Sequence, residues 1–138
     1  MLFLAALAVI APVDRCVVLP DEGPTVCPLQ LPRITNIVVE QNAIEAWKET
    51  NPPVSCETFT LTERQVRRYF QRAWLTDRGS VHYTLPESPC QVRGRVTFSD
   101  GKSVEFQIDQ YAVGKLYFSD DEPMFLYCGQ CLFKPFQL

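Results

Sequence analysis

Six cysteines in a chain of 138 residues restrict what it can fold into more than any other feature. An even count at this density, in a chain too short for two independent domains, reads as a disulfide framework formed in an oxidising compartment. In a reducing cytosol the same residues would suggest metal binding or redox work, so compartment and sulfur chemistry stand or fall together. Hydrophobic residues make up 46% of the chain and charged residues 21%, which is enough apolar material for a packed core. With 13 Lys+Arg against 16 Asp+Glu the formal net charge is −3, which argues against a chain-wide electrostatic footprint for nucleic acid.

Leu2 to Ile10 are all apolar, and Ala11-Pro12 ends the run. At 1.5 Å per residue such a stretch reaches roughly 15 Å, about half a bilayer core, too short for a span. The length suits the apolar region of a secretory signal, although no Lys or Arg precedes it and Pro12 follows the natural cleavage point; a buried N-terminal strand is the alternative. Cys16 follows Asp14-Arg15, both charged and bulky, which argues against a lipoprotein reading. No later stretch approaches 18 apolar residues, so no membrane span is expected. The expected organisation is a signal segment over 1–11, an irregular arm over 12–33 and a single α+β domain over 34–138, in a periplasmic or secreted protein.

The arm carries five prolines with little periodicity, and a Cys16–Cys27 bridge is one way of closing it. Ile34 to Glu40 is rich in β-branched residues and reads as a strand. Ala43 to Glu49 looks weakly helical, ending before Pro52-Pro53. The pattern predicts a helix over 61–75, started by a Thr60/Glu63 capping box. Its buried stripe would be Val66, Tyr69, Phe70, Ala73 and Trp74, with Phe70 and Trp74 each contributing roughly 2–3 kcal/mol on burial.

From Gln91 the period changes to two. Val92, Gly94, Val96 and Phe98 alternate with polar residues, as do Val104, Phe106 and Ile108. Parity excludes a two-residue loop at Asp100-Gly101, which would mix the faces. A three-residue loop over 99–101 pairs 96 with 104 and 94 with 106 and puts Gly101 where positive φ is needed. It also sets Arg95 opposite Glu105 on the outer face. Tyr111 to Phe118 and Met124 to Cys128 supply two more strands. The expected fold is α+β, one main helix packed on a four-stranded antiparallel meander, with an irregular N-terminal arm and disulfides. Over Phe59 to Leu132 this order resembles the cystatin-like arrangement in topology alone.

Cys128-Gly129-Gln130-Cys131 is a CxxC, but a redox cysteine sits at a helix N-terminus, and the few residues after Cys131 include Pro135. Zinc needs a second close pair that Cys16, Cys27, Cys56 and Cys90 do not form. That leaves structural bridges. Both ends of a four-strand meander fall at the same edge of the layer, which favours Cys56 and Cys90 each bonded to one of Cys128 and Cys131; a Cys56–Cys90 bridge with a small Cys128–Cys131 ring is the second choice. His82 is the only histidine and sits in a loop, so no catalytic residue, metal or cofactor is expected. The Asp120-Asp121-Glu122 run lacks the spaced ligands of a calcium loop and reads as a solvated turn.

The helix carries Arg64, Arg68 and Arg72 at intervals of four, with Arg67 alongside. This ridge is either a solvated face compensated by Glu57, Glu63 and Asp77 or a surface for an acidic partner, a phosphate group or an anionic lipid, among which arginine forks favour a carboxylate-rich protein. Arg93, Arg95, Glu105 and Gln107 on the outer sheet face form the second candidate surface.

The FTLTERQVRRYF helix, the CQVRGRVTFSDGKSVEFQI hairpin and the LYCGQC close make the region from Cys56 to Cys131 similar to small envelope proteins of Gram-negative bacteria. The resemblance implies a compartment rather than a reaction. The functional expectation is a non-enzymatic protein-binding domain, an inhibitor or toxin-neutralising (immunity-like) protein, whose partner is another protein. A thiol–disulfide redox protein using the CxxC and a structural envelope or small-ligand carrier protein are the alternatives.

Overall fold

The computed structural model describes residues 15–138. The signal segment expected over 1–11 lies outside them, as do the first residues of the expected arm. Among the described residues, eight strands form one antiparallel sheet: β1 (Val17–Val18), β2 (Thr25–Cys27), β3 (Ile34–Glu45), β4 (Trp74–Thr76), β5 (Cys90–Phe98), β6 (Ser103–Asp109), β7 (Val113–Tyr117) and β8 (Met124–Tyr127). Their spatial order is β1-β2-β4-β8-β7-β6-β5-β3. Two short helices, α1 (Glu63–Arg72) and α2 (Arg78–Tyr83), interrupt the chain. One main helix on a four-stranded sheet is therefore the wrong architecture. The meander from β5 to β8 is the middle of a sheet that β3 extends on one side and β4, β2 and β1 extend on the other.

The hairpin register follows from side-chain parity. Val96 faces Val104, Gly94 faces Phe106 and Arg95 faces Glu105. Gly101 takes φ +89°, the left-handed conformation that the three-residue loop requires.

Elsewhere the pairing on offer outweighs local propensity. The expected helix over Ala43–Glu49 does not form: Ala43 to Glu45 are the end of β3, bulged where Ala43 takes φ +53° and donates its amide to the Phe59 carbonyl, and 46–49 are irregular. Seven residues are too few to repay helix nucleation without a packed face. Helix α1 starts two residues later than expected. Its capping box is Thr62 with Gln65 rather than Thr60 with Glu63: Thr62 Oγ1 accepts from the Gln65 amide at 3.2 Å and Gln65 Oε1 accepts from the Thr62 amide at 2.8 Å. The reason is Leu61, which is buried while its amide is held by Asn42 Oδ1 at 2.8 Å, so the chain stays extended through it. The helix also ends earlier. Ala73 turns extended at ψ 152°, and Trp74 leaves the helix to pair with Tyr127 in the sheet.

The arm is not irregular throughout, since β1 and β2 form a hairpin tied by Cys16–Cys27 and β2 pairs with β4. The other bridges are Cys56–Cys90 and Cys128–Cys131, which corrects the favoured cross-pairing. Both ends of the meander do lie at one edge of the layer, but β5 and β8 are three strand spacings apart. At about 4.8 Å per spacing that is roughly 14 Å, twice the reach of a disulfide.

Helix α1 packs Val66, Tyr69 and Phe70 onto the inner face of the sheet, against Val92, Phe106 and Leu116. Tyr69 is fully buried, and its hydroxyl donates to the Ala112 carbonyl at 2.9 Å. The C-terminal segment closes this core, with the Phe136 ring 5.9 Å from that of Phe59 and 5.8 Å from that of Tyr69. On the outer face α2 covers a smaller cluster made of Val81, Leu85, Val113 and Phe125.

Candidate functional site

The two surfaces marked in the sequence lie on opposite sides of the molecule. Arg64, Arg68 and Arg72 form an exposed ridge on the solvent side of α1. Arg93 and Arg95 alternate along β5 with the buried Val92, Gly94 and Val96, so they project from the sheet face that α1 does not cover. They cannot form one site with the ridge.

The ridge is positioned by the capping box at one end of α1 and by the apolar stripe beneath it. Arg68 has a further support, with its guanidinium carbon 4.5 Å from the centroid of the Phe133 ring. This cation–π contact holds the side chain against the C-terminal segment while leaving its donors toward solvent. Arg67 is half-buried and points the other way, donating from Nη1 to the Ile34 carbonyl at 3.3 Å. Among the described residues, none of Arg64, Arg67, Arg68 and Arg72 has a carboxylate oxygen within 4.0 Å; the two ion pairs found are Arg78–Glu122 and Lys115–Glu87. The acids expected to compensate the ridge do not pair with it. Asp77 caps α2 instead, accepting from the Ser80 amide at 2.7 Å.

On the outer face, Arg93, Glu105, Gln107 and Tyr117 border a shallow hollow of about 240 Å³. Arg93 Nη2 donates to Gln91 Oε1 at 3.0 Å, and its buried Nε has no partner among the described residues. Arg95 and Glu105 stand opposite one another across β5 and β6, yet they form no ion pair within 4.0 Å. Burial raises the Tyr117 phenol above its usual pKa, Arg93 pulls it down and Glu105 pushes it up, so three of these groups feel each other's charge. The arrangement offers hydrogen bonding and charge but no activated nucleophile.

All six cysteines are paired, and Cys128 and Cys131 are fully buried.

Asp109 is an acid that no motif or spacing singles out. It is buried at the end of β6, with Oδ2 accepting from the Ser88 amide at 3.1 Å and Oδ1 accepting from the amides of Tyr111 at 2.8 Å and Val113 at 3.1 Å. Those donors organise the turn into β7. Burial nevertheless pushes its pKa up to about 7 against their pull, with Glu87 adding to the rise. Because the folded pKa lies above the unfolded one, the folded state binds more protons between them. Stability from this group is greatest below pH 4 and falls as pH rises toward 7, by about 4 kcal/mol in all. Urea unfolding at pH 4.5 and 7 checks this: the wild type should lose stability between the two more steeply than Asp109→Asn, and equal slopes would refute the assignment.

Sequence reasoning also missed Phe133 beneath Arg68 and the inward turn of Arg67. Both depend on where the C-terminal segment and the strand ends come to rest, which no local pattern encodes. No protein-family model matches the chain, nor does any curated protein or solved structure.

Proposed function

We propose that this is a non-enzymatic, secreted or periplasmic binding domain that acts on another protein through the arginine face of α1, in the manner of an inhibitor or a toxin-neutralising protein. The observation that carries the reading is a basic ridge left without acidic partners among the described residues, on a chain whose net charge is −3. Like charges four residues apart repel within the helix, so the ridge does not serve helix stability. Arginine forks match carboxylates in paired, directional hydrogen bonds, which makes a carboxylate-rich protein surface the natural complement.

Three disulfides support the same reading, because a surface held rigid loses less conformational entropy on binding. They also suit an oxidising compartment, as does the resemblance to small envelope proteins. Among the described residues no helix is long and apolar enough to cross a membrane.

The test is retention of partners from envelope extract by the wild type and by an Arg64→Glu/Arg68→Glu/Arg72→Glu variant. These side chains are exposed, so the unfolding midpoint should change little. Retention should drop by roughly tenfold or more, since rim charges set both encounter rate and partner choice. A variant that folds and keeps every partner would refute the ridge as the binding surface.

A further inference from the structure

The segment between β2 and β3, residues 28–33, belongs to neither strand. It runs beside the C-terminal half of α1 and leaves a groove of two lobes that share Leu29 and Gln71. One lobe, about 300 Å³, is lined by Leu31, Ile34 and Phe70. The other, about 480 Å³, is lined by Pro28, Ala73 and Trp74. Arg33 and Arg67 border the first lobe and Arg72 the second, and no Asp or Glu lines either one. Arg33, like the α1 arginines, has no ion-pair partner among the described residues. Leu29, Gln30 and Leu31 have no backbone-to-backbone hydrogen bond among the described residues, and Pro28 and Pro32 bracket them.

We propose that this groove binds an extended acidic segment of a partner protein. One apolar side chain enters each lobe, flanking carboxylates meet Arg33, Arg67 and Arg72, and the segment's backbone pairs with that of Leu29 to Leu31. The proposal rests on the protein-binding reading above and narrows the partner to a strand-forming, carboxylate-bearing peptide. Alternate residues of an extended chain point to the same side about 7 Å apart, which suits two adjoining lobes. Charge complementarity alone would also admit an anionic lipid. An acyl chain, however, has nothing to offer a row of backbone donors and acceptors, whereas an added strand pairs with them.

The test uses the disulfide-bonded protein carrying Trp47→Phe, which leaves Trp74 as the single tryptophan. The probe is a synthetic heptapeptide of glutamates with leucines at its third and fifth positions. A saturable change in Trp74 emission is expected. Its affinity should fall roughly tenfold or more in Arg33→Glu/Arg72→Glu, both exposed positions, and should hold in Arg64→Glu/Arg68→Glu, which lie off the groove. Undiminished affinity in the first variant overturns the proposal, as does an equal response to a peptide with lysines in place of the glutamates. A Trp74 response confined to phosphatidylglycerol vesicles also overturns it and assigns the groove to lipid. No response to any probe overturns the groove alone if extract partners still depend on Arg64 and Arg68; if they do not, the protein-binding reading falls with it.

Discussion

Gly94→Ala should destabilise the protein by about 3 kcal/mol or more, a large share of the 5–15 kcal/mol typical of a domain. Gly94 lies in the middle of β5, facing the core. A β-carbon there would collide with the Val38 carbonyl oxygen of β3 and would sit 2.7–2.8 Å from the Phe106 ring. Neither neighbour can withdraw cheaply. The Val38 oxygen belongs to a strand paired with β5 along most of its length, and Phe106 is fully buried with its ring edge-on to Phe70 at 5.8 Å. Relief therefore means pulling β3 off the sheet, and hydrogen exchange should show loss of protection in β3 before β7. Gly79→Ala is the matched control. At the start of α2 the new carbon meets only Asp77 Oδ1 at 3.5 Å, so helix propensity should leave stability unchanged or raise it by up to about 1 kcal/mol. Equal effects of the two substitutions would show that β3 is not packed on Gly94 as described.

The second large effect is expected from removing the Cys56–Cys90 bridge. The three disulfides close chain separations of 34, 11 and 3 residues for Cys56–Cys90, Cys16–Cys27 and Cys128–Cys131. On the chain-entropy account these correspond to about 4, 3 and 1.5 kcal/mol respectively. Paired alanine substitutions read by chemical denaturation should rank the bridges in that order. The Cys56–Cys90 bridge also ties the segment leading into α1 to the start of β5, so its loss should loosen the helix against the sheet. A finding that Cys128–Cys131 costs the most would mean that the C-terminal closure, rather than loop entropy, dominates.

What the residues disclosed in advance was whatever depended on short-range repetition. The β5–β6 register followed from the alternation of Val92 to Phe98 with Arg93 to Thr97 and from the need for a glycine at position 101. What they concealed depended on neighbours distant in the chain. Val17–Val18, Thr25–Cys27 and Trp74–Thr76 are too short to show a period of two, and they are strands because each finds a partner. Thr60 and Thr62 both offer capping spacing, and the choice between them falls to Asn42, nineteen residues earlier, which holds the Leu61 amide. The α1 ridge was legible because its spacing of four is local. The groove beside it was not, because Arg33 and Arg67 are brought together by the path of β3.

The strand order also bears on the sequence in which the molecule can assemble as it leaves a ribosome or a translocation pore. Apart from the β1–β2 hairpin, every strand ahead of residue 90 depends on a partner made later: β3 on β5, and β4 on β8 as well as β2. The flanks are thus synthesised first and the centre last, and Cys56 must wait for a partner thirty-four residues downstream. Most of the sheet therefore waits for the central strands: β3 has no partner until β5 is made, and the β3-β5-β6-β7 part can pair before β8 joins it to β4, β2 and β1.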